Sequence, residues 1–138
     1  MHITIENTDQ LDRAAEEFIK HTAGSNIIAF YGSLGAGKTA LIKAICKKLG
    51  SIDTVTSPSF TLVNVYNTAD GDTIYHFDFF RIKTSTEVFD FGFEEYLDSG
   101  NKCFMEWPER VESLLPPETL KVYISVNPDN SRVVKLPG

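Results

Sequence analysis

The segment from Gly32 to Thr39, with the sequence GSLGAGKT, constrains the fold of this 138-residue chain more than any other. It satisfies the pattern G-x-x-x-x-G-K-[ST] in full. In that pattern the glycines let backbone N–H groups wrap around a phosphate, and the following helix directs its positive end at the same anion. Such a loop needs a strand before it and a helix after it, so the pattern predicts an α/β fold.

The residues on either side of the loop provide this context. Residues 27–31 (IIAFY) form an apolar run that suits a central parallel strand buried on both faces, and residues 40–49 predict an amphipathic helix. A glycine-rich turn that matched the pattern by chance would lack these neighbours. Lys38 can then reach the β- and γ-phosphates, and the Thr39 hydroxyl can bind magnesium. The loop residues expected to contact the nucleotide are Leu34, Gly35, Ala36, Gly37, Lys38, Thr39 and Ala40.

Hydrophobic periodicity and turn residues predict the remaining elements. In chain order they are a strand at 2–6, a helix capped by Asn7 and Gln10 and ended by Gly24, a strand at 60–66, a hairpin turn at Asp70-Gly71 with a return strand at 73–78, a helical stretch at 85–99 broken at Gly92, a strand at 102–106, a short helix at 108–115, and a final hairpin from 120–126 and 132–136. No repeat or linker-like stretch interrupts them. We therefore expect one domain over residues 1–138, an α/β P-loop NTPase-like three-layer sandwich with a mixed central sheet and a C-terminal hairpin.

Composition narrows the class of partner and the compartment. The formal net charge is -6, and an acidic chain is poorly suited to gripping a nucleic acid backbone directly, although a partner could hold the nucleic acid. Cys46 and Cys103 lie far apart in apolar stretches, which favours free thiols in a reducing compartment. No apolar run approaches the roughly 18 residues of a membrane span, so we expect a cytoplasmic protein.

Three further segments carry side chains suited to phosphate chemistry. Residues 56–61 (TSPSFT) are rich in hydroxyls and could approach a γ-phosphate as a switch, or could be a polar turn. Asp78 follows an aromatic strand and could orient water or hold a metal ion, or could pair with Arg81. Glu106 ends an apolar strand like a Walker B acid and could hold magnesium, although an ordinary strand end would look the same, and Trp107 beside it could belong to the core.

Other P-loop classes fit less well. Guanine specificity is unsupported because Asn101-Lys102 lacks the following Asp of N-K-x-D, and no glycine has an Asp three positions before it. The tripeptide Asp90-Phe91-Gly92 spells the kinase D-F-G, but the upstream kinase motifs are missing. Arginines are too few for the lid of a small-molecule kinase, although phosphoryl transfer to a small molecule stays an alternative.

Four motifs in series resemble the bacterial TsaE (YjeE) family, the ATPase of tRNA threonylcarbamoyladenosine synthesis. They are GSLGAGKT at 32–39, SPSFTLV at 57–63, HFDFFR at 76–81 and EWPE at 106–109. Their order and spacing fit over nearly the whole chain. The sequence departs from the family pattern at Ser33, Ser59 and Phe80, where Asp, Thr and Tyr are usual. We expect these departures to affect the rate of hydrolysis and not the binding of phosphate.

The resemblance implies a magnesium-dependent ATPase, with ATP and Mg²⁺ as cofactors. Lys38 would act on the phosphates, Thr39 and Glu106 would bind the metal, and Asp78 would be needed for hydrolysis. Ser57 in the switch and Trp107 would lie at the nucleotide. The implied partners are the TsaB and TsaD proteins, which modify adenosine 37 of tRNAs reading codons that begin with A, so that tRNA is met only through partners. Turnover alone would be slow, and a nucleotide-gated interaction module without significant hydrolysis is the alternative.

Overall fold

A mixed sheet organises the chain. The computed structural model describes residues 1–33, 35–53, 62–90 and 92–137, and within them seven strands form one sheet in the order β1-β7-β6-β2-β5-β4-β3. The strands are β1 (His2–Ile5), β2 (Ile27–Tyr31), β3 (Val63–Asn67), β4 (Thr73–Asp78), β5 (Lys102–Glu106), β6 (Leu120–Val126) and β7 (Arg132–Lys135). The helices are α1 (Leu11–His21), α2 (Lys38–Lys48), α3 (Ser85–Asp90) and α4 (Phe93–Leu97), with 3-10 helices at Thr8–Gln10 and Pro108–Leu114.

The centre of the sheet is parallel and its margins are antiparallel. Strand β2 pairs in parallel with β5 and β6, and β4 pairs in parallel with β5. The hairpin predicted at Asp70-Gly71 joins β3 to β4, and the predicted C-terminal hairpin joins β6 to β7, which also pairs with β1. The prediction of a mixed sheet with a C-terminal hairpin is therefore confirmed.

The central strand β2 is buried on both faces, as its continuous apolar sequence predicts. Ile28 and Phe30 face one core, which contains the apolar sides of α1 and α2, and Phe30 stacks on Phe18 with ring centroids 5.6 Å apart. Ile27 and Ala29 face the second core on the other side of the sheet. There the rings of Phe77, Phe79 and Phe93 pack together under α3, α4 and the second 3-10 helix. These are the two outer layers of the predicted sandwich.

Element ends differ from the sequence prediction by a few residues. Asn7 caps the first 3-10 helix, because its side chain accepts a hydrogen bond from Asp9 N, while Gln10 accepts one from Glu6 N. Helix α1 ends at His21, before Gly24, and its C-cap residue Thr22 bonds back to Phe18 O.

Helix α2 starts two residues earlier than its apolar pattern predicted, because the lysine and threonine of the phosphate loop already form its first turn. No helix in the described ranges is long and apolar enough to cross a membrane.

Candidate functional site

The loop after β2 has the backbone conformation that its glycines predict. Gly35 and Gly37 have φ values of 82° and 100°, in the left-handed region that disfavours residues with a Cβ. Gly37 is the N-cap residue of α2, so the first N–H groups of that helix open toward the loop. Gly32 is needed for a different reason, since a Cβ there would lie 2.9 Å from the carbonyl oxygen of Ile124 on β6.

Strand register brings the two predicted carboxylates to the same place. Asp78 of β4 lies opposite Glu106 of β5, and Glu106 lies opposite Phe30 of β2, just before the loop begins. The strands are parallel, so their carboxyl ends meet at one edge of the sheet. The resulting cavity, of about 300 Å³, is lined by Gly35, Gly37, Lys38, Thr39, Ala40, Asp78, Phe80, Glu106 and Trp107.

This cavity gathers most of the residues singled out from the sequence. Ala36 is fully buried beneath the loop and lines a neighbouring cavity instead. The expectations for Leu34, for Ser57 and for the switch at 56–61 concern residues outside the described ranges.

Lys38 is folded back onto the loop and is only 5% exposed. Its ammonium group donates a hydrogen bond to the carbonyl oxygen of Gly32 at 2.6 Å and lies 3.6 Å from the centre of the Trp107 ring. Burial lowers the pKa of Lys38, and the nearby carboxylates, Glu106 foremost, offset part of that effect. The ammonium group of Lys38 is thus held by a carbonyl dipole and an aromatic face, both of which a phosphate could replace.

Trp107 is held in an unusual backbone conformation. Its φ of 56° is in the left-handed region, which costs a residue with a side chain about 1–2 kcal/mol. One side of the indole meets Lys38, and Phe80 packs against the ring at a centroid distance of 4.9 Å. Trp107 therefore forms a wall of the cavity and also packs, half-buried, against the second core.

Glu106 is 3% exposed and is hydrogen-bonded through both carboxylate oxygens. The Thr39 hydroxyl donates to Oε1 at 2.7 Å, and His76 Nε2 lies 2.6 Å from Oε2. His76 is itself fully buried, and its Nδ1 lies 3.1 Å from the hydroxyl of Tyr66. Sequence reasoning gave His76 no role, although its place in the motif and its position two residues before Asp78 put both side chains on one face of β4.

The donor set around Thr39 fits magnesium. A hydroxyl oxygen and a carboxylate oxygen lie 2.7 Å apart at the start of α2, and Mg²⁺ is typically bound by one or two such protein oxygens together with phosphate and water. Within the described ranges no group of three or more His, Cys, Asp or Glu residues could hold a metal ion on protein ligands alone. Asp78, half-buried at the same edge, accepts a hydrogen bond from Phe80 N at 3.0 Å.

A second cavity, of about 230 Å³, adjoins the first through Gly37 and Ala40. Its lining is mainly apolar. The residues that line it are Ile5, Glu6, Asn7, Thr8, Leu11, Ala36, Gly37, Ala40, Leu41, Ile124, Asn130, Arg132 and Val134. Arg132 donates from Nε to the carbonyl oxygen of Ala36 at 3.1 Å and so ties β7 to the phosphate loop. Sequence reasoning missed this arginine, because nothing in the local pattern of β7 indicates that it faces the loop.

The buried parallel strand, the glycine loop and the helix that starts at Lys38 place the chain in the class of P-loop NTPase-like α/β proteins. A family model described as "Threonylcarbamoyl adenosine biosynthesis protein TsaE" matches residues 5–134. The chain belongs to the TsaE family, as the four motifs predicted.

Relatives and one solved structure agree with this assignment. The chain is 34% identical to the tRNA threonylcarbamoyladenosine biosynthesis protein TsaE of Rickettsia typhi, over 99% of this chain and 93% of that protein. It is 36% identical to the protein of the same name from Haemophilus influenzae, over 88% of this chain and 77% of the relative. A crystal structure of Bacillus subtilis YdiB superposes with a TM-score of 0.73 at 28% identity, covering 99% of this chain and 83% of that one.

Proposed function

We propose that this protein is a magnesium-dependent ATPase that serves the formation of threonylcarbamoyladenosine in tRNA. The observation that carries the proposal is the convergence, in one cavity, of the loop residues Lys38 and Thr39 with the carboxylates of Asp78 and Glu106. A phosphate-binding loop alone would support binding only. Two acids at adjacent strand ends supply, in addition, a candidate metal ligand and a candidate group for orienting water.

The residues have separate roles in the proposed reaction. The N–H groups of the loop and of the first turn of α2 would bind the phosphates, and Lys38 would leave Trp107 to neutralise charge on them. Thr39 and Glu106 would hold Mg²⁺, which supplies positive charge to the phosphate oxygens when bound. Asp78 is half-buried and near the loop, where a carboxylate can orient a water molecule for attack on the γ-phosphate.

The second cavity is the proposed place for the base. It begins where the phosphate cavity ends, at Gly37 and Ala40, and its apolar walls suit the faces of a flat ring system. Leu11, Ile124 and Val134 lie on those walls. We take the base to be adenine, because the sequence lacks the guanine-reading motifs and because the TsaE resemblance implies ATP.

In the cell, the proposed ATPase works with the TsaB and TsaD proteins and meets tRNA through them in the cytoplasm. The acidic net charge of -6 supports indirect contact, since a direct grip on the tRNA backbone would need clustered cations. Within the described ranges no arginine lines the phosphate cavity, so slow turnover alone and faster turnover with partners are expected.

The Asp78→Asn variant tests hydrolysis. This substitution keeps the shape of the side chain and the acceptor for Phe80 N but removes the negative charge. We expect ATP affinity to change by less than about threefold, and phosphate release with TsaB and TsaD present to fall by about a hundredfold or more. Asp98→Asn, at the end of α4 and outside the cavity, is the matched control and should release phosphate like the unmodified protein.

The same assays separate the alternatives. Equal phosphate release by the Asp78→Asn and unmodified proteins would favour a nucleotide-gated interaction module that does not use hydrolysis. Consumption of ATP only after a small-molecule acceptor is added would indicate a kinase. Failure to co-purify with TsaB and TsaD would refute the role in tRNA modification and leave the ATPase proposal standing.

A further inference from the structure

A line of hydrogen bonds crosses three strands and ends at the proposed magnesium site. Asn64 Nδ2 lies 3.4 Å from the Tyr66 hydroxyl on β3, Tyr66 contacts His76 on β4 at 3.1 Å, and His76 contacts Glu106 on β5 at 2.6 Å. The Thr39 hydroxyl meets the other oxygen of Glu106. The middle of this line is closed to water, with Tyr66, His76 and Glu106 all at 3% exposure or less.

The chemistry of the groups sets the direction of each bond. An amide N–H only donates, so Asn64 donates to the Tyr66 oxygen, and Tyr66 can then donate its own proton to His76 Nδ1. An ionised carboxylate only accepts, so His76 must donate to Glu106 from Nε2–H. Tyr66 therefore selects the Nε2–H tautomer of the imidazole, and that tautomer presents its proton to Oε2 of Glu106.

We propose that His76 is a positioning residue that holds the Glu106 carboxylate in the orientation needed to bind magnesium. The hydrogen bond from the imidazole to Oε2 restrains rotation of the carboxylate, so that Oε1 stays directed at Thr39 and the start of α2. A partner that fixes a ligating carboxylate in this way commonly sets metal affinity. The inference rests on the proposed function, because it takes Thr39 and Glu106 as the magnesium ligands.

A purely structural role for His76 predicts something different. A buried histidine that only satisfies a buried carboxylate would change stability when removed, and would weaken nucleotide binding to the same extent with and without metal. A positioning role affects only the part of the affinity that depends on magnesium, because His76 does not line the cavity in which the phosphates are expected. The ratio of ADP affinities with Mg²⁺ and with a chelator therefore separates the two roles.

The experiment measures this ratio for five purified full-length proteins, with ADP titrations followed by calorimetry and with thermal unfolding recorded in parallel. The proteins are the unmodified chain, His76→Phe, His76→Gln, Tyr66→Phe and Ile74→Val. The last is the matched control, since Ile74 is buried on the same face of β4, opposite Tyr66, and its replacement removes one methylene while every hydrogen-bonding group of the line is kept.

We expect His76→Phe to reduce the magnesium enhancement by about tenfold to a hundredfold while ADP affinity in chelator stays within about twofold. His76→Gln should recover much of the enhancement, because its amide N–H can donate to Oε2. Tyr66→Phe should reduce it by roughly threefold, since only the orientation of the imidazole is loosened. Ile74→Val should match the unmodified chain.

An unchanged magnesium enhancement in His76→Phe, or an equal loss of affinity with and without the metal, would overturn the inference. If His76→Phe does not fold, the other two variants, His76→Gln and Tyr66→Phe, test the inference. The proposed order of donors is contradicted if the magnesium enhancement of ADP affinity is unchanged in Tyr66→Phe and completely lost in His76→Gln. An unmodified chain that binds no ADP, or binds it without regard to Mg²⁺, would instead refute the proposed function.

Discussion

Replacing Lys38 by methionine should weaken nucleotide binding and at the same time stabilise the nucleotide-free protein. The ammonium group is 5% exposed and has two compensating contacts, the Gly32 carbonyl oxygen and the face of Trp107. Its lowered pKa indicates that these contacts and the nearby acids do not fully offset the cost of burial. Methionine has a similar length and carries no charge, so it fills the same space without that cost.

The two expected effects differ in sign and size. A charge-assisted hydrogen bond to a phosphate contributes about 1.5–3 kcal/mol, so its loss should raise the Kd for ATP by roughly 10- to 150-fold. Removing a buried charge whose burial is incompletely offset should raise the free energy of unfolding by about 1 kcal/mol. The loop glycines are unchanged in this variant, so residual binding through backbone N–H groups is expected.

The stability gain should also depend on pH in a defined direction. The pKa of Lys38 is lowered in the folded protein, so the folded state loses this proton at a lower pH than the unfolded state does. The unmodified protein therefore gains stability as pH rises from the pKa of the folded state to that of the unfolded state. The advantage of Lys38→Met should therefore be largest near pH 7. It should shrink as pH rises toward 10.5, the usual pKa of lysine.

Urea unfolding at pH 7 and at pH 10, with ATP titration at pH 7, measures both effects. Lys43→Met is the matched control, because Lys43 is exposed on the same helix and its replacement should change stability by less than about 0.5 kcal/mol. A Lys38→Met protein that is less stable than the unmodified chain would refute the account of its burial. Unchanged ATP affinity would refute the assignment of the phosphate loop.

Three further outcomes are expected. Gly37→Ala should lower the free energy of unfolding by about 1–2 kcal/mol and abolish ATP binding, because φ is 100° at that position. Normal ATP affinity of this variant in a titration would contradict the prediction. Arg132→Leu should raise the Kd for ATP by roughly threefold to tenfold, because the hydrogen bond from Arg132 to the loop backbone is lost. Arg110→Leu, on the exposed surface, should leave the Kd unchanged. Equal Kd values for the two variants would contradict a role of Arg132 in supporting the loop. Cys46 and Cys103 should resist a thiol reagent at pH 8 until the protein is unfolded, because burial raises the pKa of each thiol to about 12; fast labelling of the folded protein would show that the sites open.

The sequence predicted correctly those features that depend on neighbouring residues in the chain. The apolar run of β2 is buried on both sides, the glycines of the loop adopt the conformations for which glycine is required, and β5 ends on Glu106 as predicted. Asp78 and Glu106 were each predicted at the end of a strand, and the structure adds that these two strands are parallel neighbours whose ends meet at one edge of the sheet.

Contacts between segments far apart in the chain could not be predicted from the sequence. The bond from Arg132 to the loop joins residues 96 positions apart, and nothing in the sequence near β7 indicates it. The resting position of Lys38 on Trp107 depends on a left-handed residue that is not glycine, and sequence patterns do not predict such a residue. The link from His76 to Glu106 depends on the order of the strands in the sheet, which a list of strands does not give.

The pairing of Asp78 with Glu106 makes the site far more sensitive to insertions and deletions than to most substitutions. Side chains alternate between the two faces of a strand, so removing one residue from within β5 would turn Glu106 toward the aromatic core and bring an apolar neighbour to the phosphate edge. The same deletion in the turn at Asp70-Gly71 would only reshape an exposed hairpin. Viable length variants should therefore accumulate in such turns and be absent from β4 and β5.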